Sequence, residues 1–206
     1  CIRDSVSTDE VYGELPWADP DLQESSAPKF TESTPLAPSS PYSATKAAAD
    51  YLCLAYHATH ELSVIITRSS NNYGPNQHTE KFIPLMITRA LQDRSLPVYG
   101  DGLHVRDWIY VRDHCSGLLA AAETGISGRV YNFGGNTERT NFSVVNEILD
   151  VLGHDFLNIY FFQTAKYPGT PAAIMANPAK EVTGLRKTAL TTIIKLPDTN
   201  TNGATG

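Results

Sequence analysis

Apolar positions along the chain follow two rhythms, and their alternation predicts the architecture. A short β-branched run around Ser5 to Thr8 reads as a strand. Residues 14 to 41 break every rhythm, with Pro16, Pro20, Pro28, Pro35, Pro38, Pro41 and several serines marking a loop. The spacing then predicts a helix from about Ser43 to Glu61, "SATKAAADYLCLAYHATHE", rich in helix formers and with Ser39 or Ser40 near its start. "LSVIITRSS" is a compact β-branched run of the kind buried on both faces in a parallel sheet. A helix over roughly 80 to 94 and a strand at "LPVYG" follow, then a strand in "RDWIYVRDH" feeding a helix to about Thr124. "GRVYNFGG" reads as a further strand. In "NFSVVNEILDVLG", Val144, Val145, Ile148, Leu149 and Leu152 recur on one helical side, and Gly153 stops the helix. "FLNIYFFQ" reads as a last strand, and "LPDTNTNGATG" has the composition of a frayed tail.

Strand–helix alternation of this kind indicates an α/β chain with a mostly parallel sheet. Its 206 residues suffice for one domain with a real core, or one and a half small ones. A net charge of −6 argues against a nucleic-acid surface, while leaving room for a local basic pocket. No apolar stretch approaches the roughly 18 residues of a membrane span, so neither nucleic acid nor membrane is expected as a partner. Cys1, Cys53 and Cys115 are widely spaced and odd in number, which suits reduced thiols and a cytoplasmic location. The start, "CIRDSVSTDE", lacks the basic and apolar regions of a signal peptide. His57, His60 and Glu61 invite a metal reading, but histidines at i, i+3 without a further ligand cluster read as surface residues, and no metal is expected.

Two features carry candidate chemistry. Tyr42 and Lys46 stand four apart at the start of the long helix, hence on one face. An ammonium beside a phenol favours the phenolate, which a general base requires; the same spacing also occurs by chance on solvated helices. Asp9 and Glu10 stand side by side where the first strand ends. Adjacent acids at a strand end ordinarily just face water. The alternative is that an acid and a base are needed at neighbouring carbons of one substrate. No G-x-G-x-x-G turn follows an early strand; Gly134-Gly135 comes late and lacks the remaining glycines. A dinucleotide cradle would have to precede Cys1.

Six blocks in order, "VSTDEVYGE", "SPYSATKAAADYL", "TRSSNNYGPNQ", "EKFIPLMI", "LPVYGDGLHVRDWIYVRDH" and "VYNFGG", run from Val6 to Gly135 and mark a likeness over residues 5 to about 152. With them the sequence resembles the extended short-chain dehydrogenase/reductase family, and within it the dTDP-glucose 4,6-dehydratases. The resemblance implies a partial doubly wound, Rossmann-like parallel sheet lacking its first strands, with a small C-terminal substrate-binding region. It divides the chain into 1–75, the second half of an NAD domain; 76–190, mostly substrate-binding with interleaved Rossmann elements; and 191–206, a disordered tail.

The resemblance also implies roles. Tyr42 as phenolate takes the proton of the sugar C4 hydroxyl as hydride leaves for NAD⁺, and Thr8 hydrogen-bonds the same oxygen. Glu10 is then the base at C5 and Asp9 the acid at the C6 hydroxyl, so that water is expelled and hydride returns to C6. An acid working at neutral pH keeps its proton, so a raised Asp9 pKa is expected. Tyr42, Lys46 and Ser70 would face the nicotinamide cofactor. Asn71 would contact the substrate near its phosphates, Glu80 and Lys81 the sugar, Arg106 the diphosphate and Asn132 the nucleotide. Each has a plainer reading. Arg106 also reads as a surface partner of Asp107 or Asp113, Glu80 and Lys81 as helix-start charges, Asn71 and Asn72 as turn residues, and Asn132 as a strand-end cap.

Two departures from the family pattern bear on activity. The chain begins at the catalytic strand, which reads as a fragment and makes NAD binding by this piece alone doubtful. "KYPGTP" at 166 to 171 stands where the family has Arg-Pro-Gly-His-Asp, with Tyr167 and Thr170 in place of the cation and imidazole. Three readings therefore stay open: a dTDP-glucose 4,6-dehydratase part, a UDP-sugar dehydratase or epimerase of the same family, and an inactive sugar-nucleotide-binding remnant. A homodimer through the Tyr42 helix and the following one, with Tyr51, Leu52, Leu54 and Ala55 at the interface, is implied for the full-length form.

Overall fold

The structure, a computed structural model, describes residues 3–15, 29–153 and 159–162. Cys1, residues 16–28 of the proline-rich stretch, the 166–171 segment and the tail from 191 lie outside the described residues. The described residues fall into two compact units, one within 1–72 and 111–135, the other within 73–110 and 136–162.

In the first unit, β1 (Arg3–Thr8) pairs in parallel with β2 (Val64–Ser69), and β2 with β6 (Val130–Phe133). The sheet order is β1-β2-β6. All six residues of β2 are buried, as its unbroken β-branched run requires of a central strand covered on both faces. Parallel neighbours need a crossover, and α1 (Pro41–His60) supplies it, packing on β1 and β2. Its start is specified locally: Ser40 is the N-cap in a reciprocal capping box with Ser43, and Pro41 opens the first turn. α3 (Val111–Thr124) packs on β2 and β6.

His57, whose spacing to His60 invited a metal reading, is a helix-end residue: its Nδ1 lies 2.8 Å from the carbonyl oxygen of Leu62, just past the αL cap Glu61.

The second unit contains α2 (Phe82–Leu91), β4 (Leu96–Tyr99), β5 (Val105–Tyr110), β7 (Glu138–Thr140), α4 (Asn141–Leu152) and β8 (Ile159–Phe162). α2 is shorter than the predicted 80 to 94 and ends at Leu91, whose successors Gln92 and Asp93 turn back on the Arg89 and Ala90 carbonyls. The one-sided pattern of α4 buries Val144, Val145, Ile148 and Leu149 against Ile83, Met86 and Ile87 of α2, Val98 of β4 and Trp108 of β5. Gly153 ends α4 with φ 69°, the left-handed conformation that glycine accepts without strain. β4 and β8 pair in parallel, β5 and β7 antiparallel. β3 (Asn71–Tyr73) and β7 are three-residue strands that the sequence pattern did not announce, because so short a run carries no legible alternation.

Candidate active site

β1 and β2 run in parallel register, so α1 between them travels antiparallel to both, and its first turn stands at the carboxyl ends of the strands. Open α/β sheets bind ligands at that end. Thr8 ends β1 there and caps a four-residue 3₁₀ turn, η1 (Asp9–Tyr12), accepting a hydrogen bond from the Glu10 amide at 3.3 Å. The Thr8 hydroxyl donates to Asp9 Oδ1 at 3.2 Å. Asp9 is half-buried and Glu10 exposed, so the two neighbouring carboxyls sit in different surroundings. Gly13 follows with φ 87°, and a Cβ there would collide with the Ala37 carbonyl oxygen. Ala37 also donates its amide to the Val11 carbonyl, so the segment before α1 lies against the turn.

Lys46 donates from Nζ to the Val6 carbonyl of β1 at 2.7 Å. That bond fastens α1 to β1 and fixes the ammonium one helical turn from Tyr42. The Tyr42 ring is exposed, with no partner for its hydroxyl among the described residues. Ser70, just beyond β2, has its amide tied to the Phe133 carbonyl, while its Oγ is buried with no hydrogen-bond partner among the described residues. A buried hydroxyl left without a partner is costly unless a ligand completes it. Tyr42, Lys46 and this orphaned Ser70 hydroxyl, at the carboxyl end of a parallel sheet, fit the contact side of a nicotinamide cofactor.

The structure brings Thr8, Asp9, Glu10, Tyr42, Lys46, Ser70 and Asn71 to this end of the first unit's sheet. Asn71 lies in β3, so the turn reading is not what forms. Asn132 Oδ1 accepts from the Tyr12 hydroxyl at 2.7 Å, and the Asn132 backbone N–H donates to Glu32 Oε1 at 2.9 Å. In the second unit, Glu80 and Lys81 are exposed at the start of α2, Glu80 at 3.9 Å from His78. Among the described residues of the second unit, Arg106 forms no ion pair with its neighbour Asp107; its Nη1 donates to the Val105 carbonyl at 3.2 Å. Directly across the β5–β7 ladder stands Arg139, a cation the sequence reading missed.

Within β1, burial pushes the Asp4 carboxyl up from its ordinary value, opposed by a hydrogen bond from Thr67 and by His114. Burial likewise lowers the His114 pKa, with Asp4 opposing. The Nδ1 of His114 lies 2.9 Å from Asn72 Oδ1.

The model of the NAD dependent epimerase/dehydratase family matches residues 5–134. The chain belongs to that family. A dTDP-glucose 4,6-dehydratase from Actinoplanes is 47% identical over 161 residues, covering 78% of this chain and 47% of the relative. The solved dTDP-glucose 4,6-dehydratase of Bacillus anthracis in complex with NAD superposes with TM-score 0.72 at 52% identity, covering 78% of this chain and 49% of that one. The UDP-glucuronic acid 4-epimerase of Bacillus cereus, in complex with UDP-glucuronic acid and NAD, is more distant at 26% identity, with TM-score 0.74 over 94% of this chain and 61% of that one. This epimerase/dehydratase chain thus spans about half the length of the dehydratases it matches. Among the described residues, no helix is long and apolar enough to cross a membrane.

Proposed function

We propose that the protein containing this sequence is an NAD-dependent nucleotide-sugar 4,6-dehydratase acting on dTDP-glucose, and that this chain supplies its catalytic residues. The observation that carries the reading is the pair Asp9 and Glu10 on a capped turn at the end of β1, beside the helix bearing Tyr42 and Lys46. A C4 epimerase needs the tyrosine and lysine but has no use for a paired acid and base. Identity of about half to dehydratases, against about a quarter to the epimerase, supports the same choice.

Tyr42 takes the proton of the C4 hydroxyl, and Thr8 stabilises charge developing on that oxygen. The 4-keto group acidifies the C5 hydrogen, which Glu10 removes. Asp9 protonates the departing C6 hydroxyl. NAD, when bound, supplies reversible hydride acceptance, and Tyr42, Lys46 and Ser70 are its contacts on this chain. In the second unit, Arg106 with Arg139 across the ladder offers the cationic face that a diphosphate requires. The native protein is further read as a homodimer, supported by the exposed Tyr51, Leu52 and Tyr56 on α1 and Leu119 on α3; light scattering across a dilution series tests this.

The deciding experiment incubates the full-length protein with NAD⁺ and either dTDP-glucose or UDP-glucose in deuterated water. A 4-keto-6-deoxy sugar carrying deuterium at C5 is expected from dTDP-glucose. A C4 epimer alone overturns the dehydratase reading, and faster turnover of UDP-glucose reassigns the base. No NAD⁺ binding by calorimetry and no turnover identify an inactive relative.

A further inference from the structure

A charged side chain sits in the least hospitable place in the first unit. Arg68 lies in β2, whose every residue is buried, and is itself only 4% exposed. The sheet register sets Ser7, Arg68 and Asn132 directly abreast on β1, β2 and β6, so the three side chains line one face. The Arg68 Nε donates to Asp50 Oδ2 at 2.9 Å, and the Ser7 hydroxyl donates to the same oxygen at 3.1 Å. Arg68 Nη1 donates to the Tyr12 hydroxyl at 2.9 Å, and the guanidinium carbon lies 4.9 Å from the Tyr12 ring centroid. The Tyr12 hydroxyl in turn donates a hydrogen bond to Asn132 Oδ1, and its ring stacks on Phe30, with centroids 4.9 Å apart.

We infer that Arg68 is a positioning residue for the turn that carries Asp9 and Glu10; its catalytic consequence rests on the dehydratase reading above. Tyr12 is the last residue of η1 and Thr8 its cap, so a four-residue turn is held at both ends. Val11 between them is fully buried. Once Tyr12 is pinned, the backbone of Asp9 and Glu10 has one course. The geometry needs an arginine, because a rigid fork can meet Asp50 and Tyr12 at once where a lysine offers a point charge. Stability alone does not call for this arrangement, since an apolar pair of similar volume commonly serves a core as well. Asn132 also acquires a role: it receives the Tyr12 hydroxyl and closes the row.

The test uses Arg68→Lys and Tyr12→Phe in the full-length protein, the second leaving the buried charge pair in place. Amide exchange by mass spectrometry is expected to accelerate at least tenfold over residues 8–13 in Arg68→Lys, with α4 unchanged. Turnover of dTDP-glucose should fall about 100-fold in kcat for a small misplacement of reacting groups, with KM moved by less than about threefold. Borohydride trapping should show the ratio of 6-deoxy to 6-hydroxy products falling, because expulsion of water depends on η1 and oxidation at C4 on Tyr42. Tyr12→Phe should reproduce that shift, and the double variant should add nothing to it. Unaltered exchange over 8–13 overturns the inference, as does a kcat loss with an unaltered product ratio. If the unsubstituted protein makes no 6-deoxy product, the functional reading fails, while the exchange result still decides whether Arg68 holds the turn.

Discussion

Replacing Asp50 by alanine leaves Arg68 buried with its charge uncompensated. Asp50 is fully buried, and both the Arg68 Nε and the Ser7 hydroxyl converge on its Oδ2. Removing one member of a buried ion pair costs about 3–5 kcal/mol, because the survivor keeps its desolvation penalty and loses its compensation. Arg68 retains the Tyr12 hydroxyl and ring face, which favours the lower end of that range. At about 2–4 °C per kcal/mol for a chain of this size, the melting temperature should fall by about 6–20 °C. Urea denaturation followed by circular dichroism measures the free energy, and an unchanged m-value shows that the same transition is being read. A loss below about 1 kcal/mol refutes the reasoning, since an exposed pair loses no more than that.

Other outcomes follow from the site and its supports. Glu10→Gln should abolish solvent deuterium at C5 and lower turnover by about 10²–10⁴-fold, the usual contribution of a general base; nuclear magnetic resonance of the product reads it directly. Asp9→Asn should fall by a similar factor, while still exchanging the C5 hydrogen. Ser40→Ala removes the N-cap and its capping box with Ser43 and should cost about 1 kcal/mol in thermal or urea unfolding. His114 is held below its unfolded pKa by burial, so its contribution to stability is present above the unfolded value and is lost as pH falls through the folded one. Asp4 has the opposite sign: its pKa is raised in the fold, so stability is lost as pH rises from the unfolded value through the folded one. His114→Gln should therefore flatten the fall in stability below pH about 6.5, and an unchanged slope in urea titrations rejects that assignment.

Periodicity exposed the elements that bury one side over several turns. α4 was legible because five apolar positions recur on one face, and β2 because an unbroken β-branched run has no exposed side to mark. The start of α1 was legible from Ser40 and Pro41, whose effects are local. What stayed hidden depended on register. Nothing near Asn132 in sequence says that it stands beside Arg68, since only the pairing of β2 with β6 brings them abreast. A signal for Arg68 did exist: an arginine inside a run predicted to be buried on both faces demands a partner. Asp50, one helical turn beyond Lys46, is the acid that answers it. Arg139 was missed for the same reason, because β7 is too short to reveal which residue faces Arg106.

The buried pair also allows stability and positioning to be separated in one molecule. Asp50→Leu with Arg68→Met removes both charges and fills the space with apolar atoms, an exchange that is commonly neutral or stabilising by about 1–4 kcal/mol. The two single substitutions share one interaction, so their costs cannot add. The double variant should thus melt near the unsubstituted protein. Yet methionine gives the Tyr12 hydroxyl no donor and its ring no cation, so the Arg68 hold on the end of η1 is lost while the Asn132 hydrogen bond and the Phe30 stack remain. If Arg68 serves the fold alone, restoring stability restores dehydration. If it serves the turn, the protein is stable, binds its sugar nucleotide and still fails to expel water, because the two acids on η1 no longer stand where the C5 hydrogen and the C6 hydroxyl are presented.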